Sequence, residues 1–300
     1  MLFRQLEYLV ALSRERHFVR AAQACSVSQP ALSEAIRKLE EELDVPLIRR
    51  ERRFQGLTPE GERIVRWAEK ILADRDSMRL EVSALRTGLT GQLSIGVIPT
   101  AAPAVPLLTA RFCAEHPLAR VQVMADLPTD EIFRRLQNFE LDVAIAYLAD
   151  AEAAGLVSVA LYRERYVLLT PAEGEFAARE SVTWAEAGRV PLCLLTPSMR
   201  GRRTLDAVFA QVGISPVPQL ETDSIAGLCA HVAMGRWSSI VPAPFARAIS
   251  DATGVQAVPL VTPEHEARVG LMTTAREPGS VMGRAFIEVA RSVDVAGALE

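Results

Sequence analysis

The 300-residue sequence predicts a multidomain chain, α-helical at its N-terminal end and α/β over the remainder. Three observations carry that prediction. The chain opens on short helical patterns joined by a tight turn and followed by a basic, β-prone tip. A longer helix with a regular apolar seam comes next. From Gln92 onward, strand and helix patterns alternate. The length exceeds the commonest single domain and falls short of three, so two domains are the prior. Hydrophobic residues make up 49% of the chain, enough for a large core.

Leu2, Leu6, Leu9 and Val10 mark the first helix, and His17-Phe18 breaks it. Val19, Ala21 and Ala22 begin a second, short helix whose small residues permit a close crossing. Ser26-Val27 makes the turn. Ser28 is then an N-cap, and Pro30 sits in the first turn, where its missing N–H costs nothing. Leu32, Ile36, Leu39 and Leu43 step by four, three and four along one helical face. Gln29, Ser33 and Arg37 step by four along another, which must look away from the core. Asp44-Val45-Pro46 ends this helix. The stretch "LIRRERRFQGLT" then reads as a two-stranded wing around a basic tip at Arg49–Arg53. The order helix, helix-turn-helix, wing predicts a winged helix-turn-helix over residues 1–58.

A recognition helix enters the DNA major groove with its N-terminal residues toward base edges. Gln29 suits adenine in bidentate fashion, Ser33 suits several bases, and Arg37 can reach a base or a phosphate. Ser28 and the free N–H groups around Pro30 suit a phosphate at the positive end of the helix. Arg50, Arg52 and Arg53 in the wing would neutralise backbone phosphates without reading sequence. Charge is distributed to match. Residues 1–90 hold 16 basic and 14 acidic side chains, and the rest hold 17 and 23, within a total of −4. The same pattern also describes a solvated polar face on an ordinary three-helix unit, and spacing alone does not choose between the two.

Thr58 can cap the next helix, with Pro59 at its first position. Ile64, Ala68, Ile71, Arg75, Met78, Val82 and Leu85 then alternate steps of four and three, a coiled-coil seam with Arg75 as the one polar member. Thr87-Gly88 stops it. Residues 59–90 therefore read as a linker and dimerisation helix, which by two-fold symmetry would present two recognition helices to a palindromic site. A single amphipathic helix packed on its own domain gives the same seam.

"QLSIGVIP" alternates as a strand through Leu93, Ile95 and Val97. A helix at about 103–115, the strand "VQVMAD", the helix "TDEIFRRLQNF" and the strand "LDVAIAYL" complete a βαβαβ rhythm with parallel strands. The strands "ERYVLLT" and "VPLCLL", the helix "RRTLDAVFAQVG", the strand "PQLET", the helix "SIAGLCAHVAMG" and the strand "SSIVP" form a second run. "ARVGLMTT" and "SVMGRAFIEVARSV" close the chain as strand and helix.

The stretch Phe18–Gly61, "FVRAAQACSVSQPALSEAIRKLEEELDVPLIRRERRFQGLTPEG", resembles the N-terminal region of LysR-type transcriptional regulators. The match runs over forty residues almost without gaps and carries Gln29, Ser33, Arg50 and the Leu57-Thr58…Gly61 helix start onto the family motif. Cys25, Asp44 and Ile48 depart from it at core and cap positions. Glu34 departs on the groove side, where relatives often carry Arg or another polar residue. A carboxylate there repels phosphate but can accept from cytosine.

The resemblance implies that residues 91–300 form an effector-binding domain similar to periplasmic binding proteins. It has two α/β subdomains, at about 91–163 with 268–300 and at about 164–267. Two crossovers would link them near 161–165 and 266–268. It further implies double-stranded DNA, a small-molecule effector, further copies of the chain as dimer or tetramer, and RNA polymerase as partners. Ligands in open α/β sheets sit at strand carboxyl ends. Thr100, Thr129, Thr196, Ser198 and Met199 occupy such ends, with Arg200, Arg202 and Arg203 just beyond and Ser224 at another. Each hydroxyl is equally placed as an ordinary N-cap. On the effector reading they hold a carboxylate-bearing molecule with Arg203 as charge partner. Trp237 replaces a glycine of the family pattern "G-x-G-[IV]-x-x-[LV]-P", either narrowing the cleft or serving a subunit contact.

No G-x-G-x-x-G follows a strand, and G-x-x-x-x-G-K-[ST], G-x-S-x-G and H-E-x-x-H are absent. His17, His116, His231 and His265 lack metal-ligand spacing, so no metal or cofactor is expected. Asp126 and Asp142 read as caps or solvated residues rather than a catalytic pair. Cys25, Cys113, Cys193 and Cys229 are far apart, against a disulfide framework. A thiol switch at the last three remains open beside a buried structural role. The N-terminus lacks a signal-peptide h-region, and no stretch is long enough to span a membrane, which fits the cytosol. Three functional readings stand: a ligand-responsive regulator, a DNA-binding protein that senses nothing, and an α/β enzyme carrying a DNA-binding unit.

Overall fold

The computed structural model describes residues 1–50, 54–247 and 254–299, and it divides into two compact units, Met1–Thr87 and Gly88–Glu300. In the first unit α1 (Phe3–Glu15), α2 (Phe18–Ala24) and α3 (Gln29–Leu43) precede a hairpin of β1 (Ile48–Arg50) and β2 (Phe54–Leu57), and α4 (Pro59–Thr87) follows. Leu32, Ile36 and Leu39 of α3 are fully buried against Leu6, Leu9, Ala21 and Ala22. Each contributes roughly 2 kcal/mol by leaving water. Ser28 caps α3 by accepting from Ala31 N at 3.3 Å, so the polar face is fixed in orientation by both packing and cap.

The hairpin is tied down from both sides. Glu40 of α3 accepts from Leu47 N at 2.9 Å and Ile48 N at 3.1 Å. Thr58 donates to Pro46 O at 2.7 Å and accepts from Gly61 N at 2.9 Å, so one hydroxyl joins the wing to the start of α4. Gly61 has a steric cause: a Cβ there would lie 2.0 Å from the Leu47 carbonyl oxygen.

Helix α4 changes character along its length. Val65 and Ala68 are buried in the core of the unit, with Ile64 and Ile71 partly buried beside them. Met78, Val82 and Leu85 are exposed, Leu85 at 86%. The first half of the helix thus packs on its own unit, and the second half carries its seam residues exposed. Arg75 is no defect in the seam, because it turns back onto α1, pairing with Glu7 at 2.5 Å and stacking over the Phe3 ring at 5.3 Å.

In the second unit β3 (Gly91–Val97), a 3-10 turn (Pro99–Ala104), α5 (Val105–Glu115), β4 (Ala119–Met124), α6 (Thr129–Gln137), β5 (Val143–Tyr147) and α7 (Leu148–Ala153) lead into a 15-residue strand β6 (Val157–Pro171). Then come β7 (Val182–Thr183), α8 (Trp184–Ala187), β8 (Cys193–Leu195), α9 (Arg200–Gln211), β9 (Leu220–Thr222), α10 (Ile225–Ala233), β10 (Ser239–Pro242), β11 (Val255–Val261) and β12 (Glu266–Thr273). The helices α11 (Val281–Ser292) and α12 (Val295–Leu299) end the chain.

The first subdomain has strand order β4-β3-β5-β12-β6. Strands β3, β4 and β5 are parallel, but β12 runs antiparallel to both β5 and β6. The parallel order expected of β3, β4 and β5 is observed, and β12, from far downstream, inserts antiparallel between β5 and β6. Strand β6 serves both subdomains. Through Arg165 it pairs with β12, and from Tyr166 onward it pairs with β10 and β11. Phe112 meets Phe286 edge-on in the first subdomain, and Trp184 meets Phe209 edge-on in the second. No helix of the described residues is long and apolar enough to cross a membrane.

Candidate functional site

The outward face of α3 is a hydrogen-bonded surface rather than a set of free side chains. Gln29 Nε2 donates to Ser33 Oγ at 2.9 Å, one turn on. Arg37 closes on the Glu34 carboxylate through two bonds, Nε to Oε2 at 2.9 Å and Nη2 to Oε1 at 2.7 Å, and also pairs with Glu41. The Arg37 hydrogen bonds hold the Glu34 carboxyl below its usual range. Gln29, Pro30, Glu34 and Arg37 are exposed, and Ser33 is half-buried. Arg50 ends β1 with its side chain outside the described residues, where Arg52 and Arg53 also lie.

In the second unit, Thr100 and Thr129 face one small cavity, 5% and 6% exposed. Tyr147, Leu195, Met199, Arg200 and Gly201 share its wall with the residues beside the two threonines, and its volume is about 20 Å³, room for a water-sized group. Strand ends of both subdomains build it: β3 and β5 from the first, β8 and the start of α9 from the second.

The helix caps lie elsewhere. Pro128 is the N-cap of α6, and the Thr129 hydroxyl has no hydrogen-bond partner among the described residues. Thr100 Oγ1 lies 3.0 Å from Tyr147 Oη. Behind it Tyr147 donates to Glu164 Oε1 at 2.8 Å. Glu164 lies on β6, fully buried, with Ala267 as its cross-strand partner. Burial raises its carboxyl to about 7, the Tyr147 hydrogen bond opposing the shift. Sequence reasoning missed both Tyr147 and Glu164. A lone Glu inside an otherwise β-prone run, "LYRERYVLLT", was the available signal.

Other expected positions fall outside the cavity. Thr196 Oγ1 and Ser198 Oγ bond each other at 3.1 Å, and Ser198 is exposed. Neither lines the wall. Arg203 is exposed and does not line the wall, which α9 reaches through its first two residues, Arg200 and Gly201. The arginine at the wall is Arg200, whereas Arg202 is held by Asp206 at 2.8 Å, Glu221 at 2.6 Å and Leu195 O at 2.7 Å. Ser224 is an N-cap, accepting from Gly227 N at 3.2 Å. Trp237 is absent from the wall and instead donates to Gln219 Oε1 at 3.2 Å beside His231.

The remaining polar candidates are structural. Asp142 accepts from Ser94 N at 2.8 Å and from the Ser280 hydroxyl. Cys193 and Cys229 are buried, and desolvation pushes both thiols up to about 11. Cys113 is exposed, against the buried role expected of it. No cluster of metal-ligating side chains exists among the described residues.

Comparison with known proteins matches residues 3–62 to the family described as "Bacterial regulatory helix-turn-helix protein, lysR family" and residues 86–294 to "LysR substrate binding domain". The Escherichia coli K12 DNA-binding transcriptional dual regulator OxyR is 30% identical over 298 residues, covering 98% of this chain and 95% of that protein. A full-length OxyR variant from Pseudomonas aeruginosa superposes with a TM-score of 0.77 at 28% identity, covering 99% of this chain and 97% of that one. CbnR complexed with its target DNA shares the fold, with a TM-score of 0.66 at 23% identity over 97% of this chain and 99% of that one.

Proposed function

This chain belongs to the LysR family of bacterial transcriptional regulators, and we propose that it is a ligand-responsive regulator reading a palindromic operator as an oligomer. It is a regulator rather than an enzyme with an appended DNA-binding unit. In the proposal, residues 1–58 bind DNA through Ser28, Gln29, Pro30, Ser33, Glu34, Arg37 and the wing arginines Arg50, Arg52 and Arg53. Residues 59–90 link and dimerise, the exposed Met78, Val82 and Leu85 stripe meeting a second copy, with a tetramer as the larger assembly. RNA polymerase is the further partner, and the cytoplasm the compartment.

The effector is a small metabolite that enters between the two α/β subdomains and shifts the hold on DNA. The single observation behind this is Thr129, a hydroxyl nearly removed from solvent, unpartnered among the described residues, and on the wall of a cavity shared by both subdomains. An unsatisfied buried hydroxyl costs about 1–3 kcal/mol, which a bound ligand would recover. Met199 supplies apolar wall, and Arg200 faces the anionic end of a carboxylate-bearing molecule. At about 20 Å³ the cavity must widen for anything larger than water, and β6 at Arg165–Tyr166 is the natural hinge, since its partners change there.

Several relatives are named for hydrogen peroxide. None of the four thiols here lines the cavity, and the two buried ones are held protonated, which disfavours the nucleophilic thiolate. Non-covalent binding is therefore the favoured signal. Isothermal titration of the full chain against a metabolite panel tests it. Thr129→Val should weaken any effector found by about tenfold or more. Unchanged affinity in both Thr129→Val and Thr100→Val would remove the cavity as the site.

A further inference from the structure

The hydroxyls behind the cavity are not free to point either way. Tyr147 has a single proton, and once Glu164 is ionised, above about pH 7, its bond to Glu164 Oε1 at 2.8 Å uses that proton, because an ionised carboxylate can only accept. Tyr147 Oη, 3.0 Å from Thr100 Oγ1, is then the acceptor of that second contact. The one proton of Thr100 is spent inward, and only lone pairs remain for the cavity.

We propose that Glu164, acting through Tyr147, fixes Thr100 as a hydrogen-bond acceptor toward the cavity, so that the site selects an effector presenting a donor there: a hydroxyl, an amide N–H or an ammonium. The proposal rests on the effector reading of this cavity and refines it. A carboxylate oxygen set against Thr100 would meet lone pair with lone pair. The anionic end of an effector belongs at Arg200, and Thr100 takes its other end. Glu164 and Tyr147 are positioning residues, since Glu164 does not itself line the wall.

The surroundings maintain this polarity. Tyr147, Tyr162 and Tyr166 all have phenols raised by burial and by the Glu164 charge, so they keep their protons. Tyr147 makes the hydrogen bond of normal geometry to the carboxylate, and the Tyr166 and Thr100 hydroxyls also act on it, all three favouring its charged form. His265 stacks 5.8 Å from the Tyr166 ring and is shifted toward neutrality by burial. Arg200 acts on Tyr166 through space. Arg163 and Arg165, which flank Glu164 in sequence, are exposed and engaged by Glu266 at 3.0 and 2.7 Å.

The test uses formamide and formate, a near-isosteric pair that differs at the donor and in charge. Ligand-observed NMR on the full chain at pH 8 gives the ratio of their dissociation constants in wild type, Tyr147→Phe and Glu164→Met. Both variants free the Thr100 proton for the cavity; Tyr147→Phe keeps the Glu164 carboxylate in place and is the decisive variant, whereas Glu164→Met also removes a negative charge that repels formate. The formate-to-formamide ratio should fall by about tenfold or more in both variants. An unchanged ratio in both variants would overturn the relay. The infrared carboxylate band of Glu164, taken as wild type minus Glu164→Met, provides a second readout and should move on Tyr147→Phe. A static band would also overturn the relay. No binding of either probe to any form, with a band that moves, would instead overturn the effector reading of the cavity and with it the selection.

Discussion

Arg37 embraces the carboxylate of Glu34, one turn earlier on the recognition helix, with bonds of 2.9 and 2.7 Å to its two oxygens. On the proposed DNA reading, the departure at Glu34 therefore presents a neutralised pair to the groove. Repulsion of phosphate by Glu34 and attraction by Arg37 largely cancel at that position, and both ions are exposed, so the pair adds little to stability.

Glu34→Gln should release the Nε–Nη2 edge of Arg37 toward DNA, its Nη1 staying with Glu41. Fluorescence anisotropy over a salt series should show tighter binding to all sequences, with a slope of log K against log salt steeper by about one contact. Arg37→Ala should leave the slope nearly unchanged in wild type but lower it in the Glu34→Gln background.

Gln29 is oriented by its bond to Ser33. Gln29→Ala should relax discrimination at one base pair by roughly 1–3 kcal/mol, measured with a set of single-substitution operators. Ser33→Ala should blur the same base pair, since Gln29 then loses its guide.

Gly61→Ala places a methyl against the Leu47 carbonyl at 2.0 Å before relaxation. Thermal melting should show a loss of about 1–3 kcal/mol in the DNA-binding unit. Thr58→Val should fall in the same direction, because it severs the wing from α4.

Glu164 gives a stability trend with a definite sign. Its folded-state value, about 7, lies above the ordinary value of 4.5. The folded chain therefore holds more protons than the unfolded chain between those values, and stability falls as pH rises through that window. Wild type should lose up to roughly 3 kcal/mol relative to Glu164→Met between pH 5 and pH 8, read from urea midpoints. A constant difference would show that the carboxyl does not titrate there.

Much of the first unit was legible in sequence because its rules are local. A cap, a proline at the first turn and an apolar stripe fix α3, and Thr58 with Gly61 fixes the start of α4. Arg75 looked like a flaw because its partners, Glu7 and Phe3, lie on a helix distant in sequence. The second unit was legible as α/β but not in its sheet order, since β12 reaches β5 only after the whole second subdomain has been built. The cavity was half legible. Thr100, Thr129 and Met199 stood out at strand ends, but Arg203 was chosen where the wall holds Arg200, at the very start of α9. Tyr147 and Glu164 went unseen because their pairing crosses from β5 to β6.

The most direct measurement is a footprint of the full chain on a selected operator, with and without each member of a metabolite panel, in wild type and Thr129→Val. Ligand and DNA must be coupled for a regulator of this kind. The account predicts a metabolite that shifts the wild-type footprint and leaves that of Thr129→Val unmoved. A footprint that no metabolite alters, or one altered equally in both proteins, would contradict it.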